Sequence, residues 1–174
     1  MTTTEEVRHA VLSSAFRSLF ESEFGNVCRS LRRLGVHEAD LADVAQELFV
    51  AVHRRIGELD PARPPRPWLF SFSLRFAANY RRLARNRAPH VDADVRADPA
   101  DANGEARDLV LRVLADLDFD RRTVLVMHDL EGFGAPEIAE ITKAPLNTVY
   151  SRLRLAREDF REAAKLLEGK GVAS

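Results

Sequence analysis

The chain has 174 residues, with 26 lysines and arginines against 27 acids and a formal net charge of −1. That length allows one ordinary domain or two small ones, and the balanced charge neither favours nor excludes a nucleic-acid partner. Cys28 is the only cysteine, which excludes an internal disulfide, and no apolar run approaches a membrane span, so no membrane insertion is expected.

Residues 1–13 read as a weakly ordered lead-in. They lack the basic start and apolar run of a secretory signal, so a cytoplasmic location is expected. From Ser14 to Leu34, Phe16, Leu19, Phe20, Phe24, Val27, Cys28, Leu31 and Leu34 make a broad apolar stripe at helical spacing, closed by Gly35. A second helix is predicted from about Glu38 to Ile56, with acids at its start and His53, Arg54 and Arg55 near its end to complement its dipole. Asp43, Gln46 and Glu47 fall on its polar side, either as a solvated face or as a docking patch for a basic partner. Gly57 to Pro67 is a proline-rich loop that can continue neither neighbouring helix.

Trp68 to Asn86 is ambiguous by pattern. Phe70, Phe72, Leu74 and Phe76 alternate with polar residues as a strand would, yet Trp68, Phe72 and Phe76 also share a helical face. The segment is long and free of internal glycine and proline, so a helix is predicted. Its aromatics run into a basic stretch of Arg75, Arg81, Arg82, Arg85 and Arg87. Aromatics beside arginines suit stacking on single-stranded bases, although most of these rings read as core and Tyr80 is the main exception. Residues 89–106 are acidic and poor in apolar side chains, and read as a flexible linker.

A second helical module is predicted over 107–170, with 171–174 as a tail. Leu109, Val110, Val113, Leu114 and Leu117 give one amphipathic helix. Asp118 offers an N-cap to the next, which Gly132 and Gly134 close. GAPEIAEITKAPLNTVYSRLRLAR (Gly134 to Arg157) then reads as a short helix, a turn at Thr142-Lys143-Ala144, and a second helix opened by Pro145. In that helix Leu146, Val149, Leu153 and Ala156 recur at three- and four-residue steps, while Asn147, Ser151 and Arg154 point away. This is the helix-turn-helix pattern, whose second helix enters the DNA major groove. A helical hairpin packed inside a larger bundle would share the spacing. Arg152, Arg154 and Arg157, with no acid from Pro145 to Arg157, tilt the reading toward phosphate contact.

DVAQELFVAVHRR (Asp43 to Arg55) followed by WLFSFSLRFAANYRRLAR (Trp68 to Arg85) resembles the second conserved region of bacterial sigma factors. EGFGAPEIAEITKAPLNTVYSRLRLAR (Glu131 to Arg157) resembles their fourth region. The order, short length and bare linker are similar to the extracytoplasmic-function (ECF) group of the sigma-70 family, across about Phe16 to Leu166. The resemblance implies an all-α protein of two modules, 14–88 and 107–170, acting as a dissociable subunit of RNA polymerase that selects promoters. Asp43, Gln46, Glu47 and Phe49 would dock on the core polymerase clamp helices, and the second module would meet the flap. Asp60, Arg63, Arg66, Trp68, Arg75, Asn79, Tyr80, Arg82 and Arg85 would hold the melted, single-stranded minus-10 element, with a base flipped into the loop from Asp60 to Pro67. Leu146, Asn147, Thr148, Tyr150, Ser151, Arg152, Arg154 and Arg157 would meet the double-stranded minus-35 element. An anti-sigma factor is an expected partner. The chain departs from the family pattern at Leu74-Arg75, Asn79, Lys143, Asn147 and Tyr150, several of which are positions expected to face DNA.

Two rival readings remain in view. A stand-alone helix-turn-helix regulator accounts for Gly134 to Arg157 but leaves DVAQELF and the basic aromatic helix unexplained. An enzyme would need chemistry the sequence does not display: its five histidines (His9, His37, His53, His90, His128) are scattered, no pair has metal-ligand spacing, and no phosphate-cradling glycine loop is present. No cofactor, no metal and no catalytic residue are expected.

Overall fold

The computed structural model describes residues 4–86 and 104–171, and every regular element among them is helical. In the first module α1 (Thr4–Arg33), α2 (Leu41–Arg54) and α3 (Pro65–Asn86) pack against one another in a bundle. Its centre is Leu31, Leu34, Ala45, Leu48, Val52, Phe72 and Ala77, all essentially inaccessible.

Helix α1 begins at Thr4, ten residues ahead of the Ser14 start read from the apolar stripe. No proline or glycine interrupts the segment ahead of Ser14. Its end follows the glycine signal. Gly35 takes φ +102°, and the Val36 amide reaches back to the Leu31 carbonyl at 3.0 Å.

The strand-like alternation of Trp68 to Phe76 gives way to helix, and that helix starts three residues early, inside the proline-rich stretch. Pro65 and Pro67 sit in its first turn, where a missing N–H has no intrahelical acceptor to lose. The loop expected over Gly57 to Pro67 is therefore shorter, and a 3₁₀ turn at Ile56–Glu58 begins it.

The second module comprises α4 (Gly104–Asp116), α5 (Phe119–Leu125), α6 (Ala135–Thr142) and α7 (Leu146–Gly171). Helix α7 packs on the other three. Val113, Leu114, Val124, Met127, Ile138, Val149 and Ala156 form the core. Asp118 caps α5 as its position suggested, accepting from the amides of Asp120 and Arg121 at 3.1 and 3.0 Å. One helix was expected across Val124 to Leu130; instead α5 ends at Leu125 and a π-turn covers Val126–Leu130. Helix α4 starts at Gly104, inside the expected linker, whose remainder (89–103) lies outside the described residues. The tail expected at 171–174 begins at the last described residue, and 172–174 lie outside.

Candidate nucleic-acid interface

The helix-turn-helix is built from its buried side outward. Ile138 of α6 and Val149, Leu153 and Ala156 of α7 close the angle between the two helices. Lys143 makes the turn in the left-handed region at φ 56°. The Thr142 hydroxyl donates to the Ile138 carbonyl at 2.7 Å, and the Val149 amide donates to the Pro145 carbonyl at 3.1 Å. With that side fixed, the opposite side of α7 is left to solvent. Leu146, Asn147, Tyr150, Ser151 and Arg154 are exposed, and Thr148, Arg152 and Arg157 are half-buried on its flanks.

Arg152, Arg154 and Arg157 have no acid among them in sequence, yet the fold supplies one to each. Arg152 donates to Asp120 of α5. Arg157 grips both carboxylate oxygens of Asp129, at 2.6 and 2.9 Å. Arg154 pairs with Glu158 one turn along, at 2.8 Å. The Arg157 bonds, with a smaller contribution from His128, hold the Asp129 carboxyl below the ordinary aspartate value. Such partly exposed pairs are each worth about 0–1 kcal/mol, so a phosphate can displace the carboxylate at modest cost.

In the first module the expected minus-10 residues divide into two groups. Trp68, Arg75, Asn79 and Arg82 recur at three-, four- and seven-residue steps and share one stripe of α3. Arg75 lies over the Phe72 ring at 5.0 Å, Trp68 meets the same ring edge-on at 4.9 Å, and Arg82 donates to Asn79 at 2.9 Å. Asp60 and Arg63 lie in the exposed loop before α3, where Asp60 accepts from the Ala62 amide at 2.9 Å. Arg66 and Tyr80 turn elsewhere. The Tyr80 hydroxyl donates to Asp40 at 2.6 Å, which ties its half-buried ring to the bundle. No aromatic of α3 is fully exposed among the described residues, and the exposed members of the stripe are Arg75, Asn79 and Arg82. The Arg85 side chain lies outside the described residues.

The expected docking residues also divide. Asp43, Gln46 and Glu47 are exposed along α2. Phe49 is only 2% exposed and sits among Phe16, Phe20 and Phe24, with ring centroids 6.4, 4.9 and 5.8 Å away. Its side chain is core, because the α1 aromatics close over that side of α2. Val50, which sequence reading passed over, is 52% exposed and continues the Asp43–Gln46–Glu47 side by one turn. An apolar residue three positions after Glu47 was the available signal. Val50, Gln46, His53 and Arg54 line an open groove of about 440 Å³ against Phe16 and Phe20.

A third feature was not visible in the sequence. The two modules touch, and Glu131 lies at the contact with its side chain 5% exposed. Arg33 of α1 donates to one of its oxygens at 2.9 Å and Arg66 of α3 to the other at 2.8 Å, while the Ser30 hydroxyl adds a 3.1 Å bond. Phe133 packs edge-on against Phe70, with centroids 5.4 Å apart. Beside them Arg122 is buried and donates from Nε to the Arg33 carbonyl at 2.6 Å, at the electron-rich end of α1. Burial, with Arg81 nearby, lowers the Arg122 guanidinium to about 10. Among the described residues no group of side chains is arranged to hold a metal.

The architecture defines a class: a two-module helical protein with a helix-turn-helix whose recognition helix is open to solvent. The Sigma-70 region 2 family model matches residues 19–87, and the Sigma-70, region 4 model matches 107–160. The RNA polymerase sigma-H factor of Pseudomonas aeruginosa is 30% identical over 151 residues, covering 76% of this chain and 77% of that protein. The ECF RNA polymerase sigma-E factor of Escherichia coli K12 is 29% identical over 139 residues, covering 71% and 73%. Among solved structures, CnrH in complex with the cytosolic domain of CnrY has a TM-score of 0.65 at 28% identity, over 90% of each chain. The sigma factor RpoE of Bartonella quintana, solved with the anti-sigma factor NepR, shares the fold: the TM-score is 0.72 at 18% identity, over 87% of this chain and 97% of that one. The chain belongs to the ECF group of the sigma-70 family.

Proposed function

We infer that this chain is a dissociable RNA polymerase subunit that directs promoter-specific initiation, with α7 on the minus-35 duplex and α3 at the melted minus-10 strand. The observation that carries the reading is the pairing, in one chain, of an open recognition helix with a second module bearing the Arg75–Asn79–Arg82 stripe. A duplex reader alone needs the first and has no use for the second. The transcription chemistry belongs to the polymerase, and the chain contributes DNA selection and melting.

Core polymerase docks on the exposed Asp43–Gln46–Glu47 side of α2, with Val50 as its apolar contact. Phe49 supports that surface from beneath. An anti-sigma factor is a further partner, consistent with RpoE of Bartonella quintana, whose structure contains one. A stand-alone regulator finds no specific support, since it leaves the α2 side and the α3 stripe without a role.

The docking assignment is tested by Asp43→Lys. The residue is exposed, so the helical circular dichroism spectrum is expected to stay unchanged. Affinity for core polymerase, followed by fluorescence anisotropy, is expected to fall at least about ten-fold, because reversing a charge inside an interface places like charges together. Wild-type assembly by this variant contradicts the assignment.

A further inference from the structure

The open end of the recognition helix is apolar where base contacts are made. Leu146 and Tyr150 are 40% and 53% exposed, and they stand one turn apart on the same flank of α7. Both belong to its first turn and a half, the part of a recognition helix that reaches base edges. Next to them Ser151 spends its hydroxyl proton on the Thr148 carbonyl at 3.0 Å, which leaves it as an acceptor. The arginines sit further along and are each drawn to an acid. Glu158 engages Arg154 on the same outer face, so Arg154 exchanges this partner before it meets DNA.

A guanine is read in the major groove by a bidentate arginine or lysine, and neither residue occurs from Leu146 to Ser151. A thymine is read by apolar contact with its C5-methyl group, and that is what an exposed tyrosine ring beside a leucine offers. We propose that Tyr150, backed by Leu146, is a specificity-determining residue that selects thymine in the minus-35 element by packing on the thymine methyl. The proposal rests on the reading of the chain as a promoter-binding subunit and adds the base chemistry it reads.

The test uses holoenzyme reconstituted from the full chain and core polymerase. It selects from duplexes randomised across the minus-35 segment, and the selected duplexes are then remade with uracil for each thymine in turn. Uracil differs from thymine only by the missing methyl. Wild-type holoenzyme is expected to select a thymine at one or more positions and to lose about four-fold in affinity when that methyl is removed, the equivalent of one buried methyl group. Tyr150→Phe keeps the ring and is expected to keep this dependence; Tyr150→Ala is expected to bind both duplexes equally. Because Tyr150 is exposed, both variants should assemble with core as the wild type does. Equal binding of thymine and uracil duplexes by the wild type overturns the proposal. So does a selected site read through guanine and lost in Arg154→Ala; both outcomes leave the sigma-factor reading in place. Failure to assemble with core, or assembly without any sequence selection, overturns that reading and the proposal with it.

Discussion

Lys143 occupies a backbone position that suits glycine. At φ 56° its Cβ crowds the neighbouring carbonyl, at a cost of about 1–2 kcal/mol for an L-residue. Part of the gain on substitution is lost to the greater freedom of glycine in the unfolded chain. Lys143→Gly is therefore expected to stabilise the protein by about 1 kcal/mol and to raise the thermal midpoint by about 3 °C in a scanning experiment. An unchanged or lower midpoint contradicts this account of the turn. The same scale shows where sequence reading stops. The stripe of Leu146, Val149, Leu153 and Ala156 marks the inward side of α7 for its last three members, because one periodic stripe meets one neighbouring surface; Leu146, at the start of the helix, departs from it and is exposed. Phe49 is buried rather than presented on the docking side, because the α1 aromatics that cover it come from a different helix and no pattern within α2 reports them. Tyr80 was expected to be open, and its tether to Asp40 depends on a residue forty positions away.

Among the elements, the π-turn at Val126–Leu130 and helix α7 are joined by the Asp129–Arg157 pair, which sets the pH response of this connection. The Asp129 carboxyl titrates below its ordinary value of 3.8, chiefly through the Arg157 bonds. A carboxyl with a depressed folded pKa contributes stability that is present above the unfolded value and lost as pH falls through the folded one. The stability difference between wild type and Asp129→Asn is thus expected to be constant near neutral pH and to vanish as acid protonates the carboxylate. With both side chains partly exposed, its size is about 1 kcal/mol or less. Urea denaturation at stepped pH reads it, and a difference that grows on acidification contradicts it. Element identity was legible wherever one periodicity ran long enough. Where two periods competed, in Trp68 to Phe76, length and the absence of internal breakers decided correctly for helix. The early start of α3 was not legible, since Pro65 and Pro67 serve equally as loop residues and as first-turn residues. The π-turn leaves no sequence signature, because its extra residue is accommodated by packing in the module core.

In the whole molecule the two modules meet at a buried carboxylate, with the Phe70–Phe133 pair and Arg122 beside it. Glu131 reads as one polar residue of a glycine-flanked loop. Its role depends on Arg33 and Arg66, which lie 98 and 65 positions away. Arg66, which the resemblance places at the minus-10 strand, is engaged with the second module in this arrangement. Glu131→Arg places a third cation between the two arginines and is expected to part the modules, at a cost of about 2 kcal/mol or more to their contact. Small-angle scattering should then show a larger radius of gyration with unchanged helix content; identical scattering curves contradict the latch. The division into two helical modules was readable from composition and motif, but their mutual packing was not, because it rests on side chains that no local pattern connects. The central claim is that this chain confers promoter selection on RNA polymerase. Its most direct test is run-off transcription by core polymerase on a promoter library, with and without the chain. Discrete start sites that appear only with the chain, downstream of a shared pair of elements, are the predicted result. Core polymerase that binds the chain and still initiates at no new site would contradict the account.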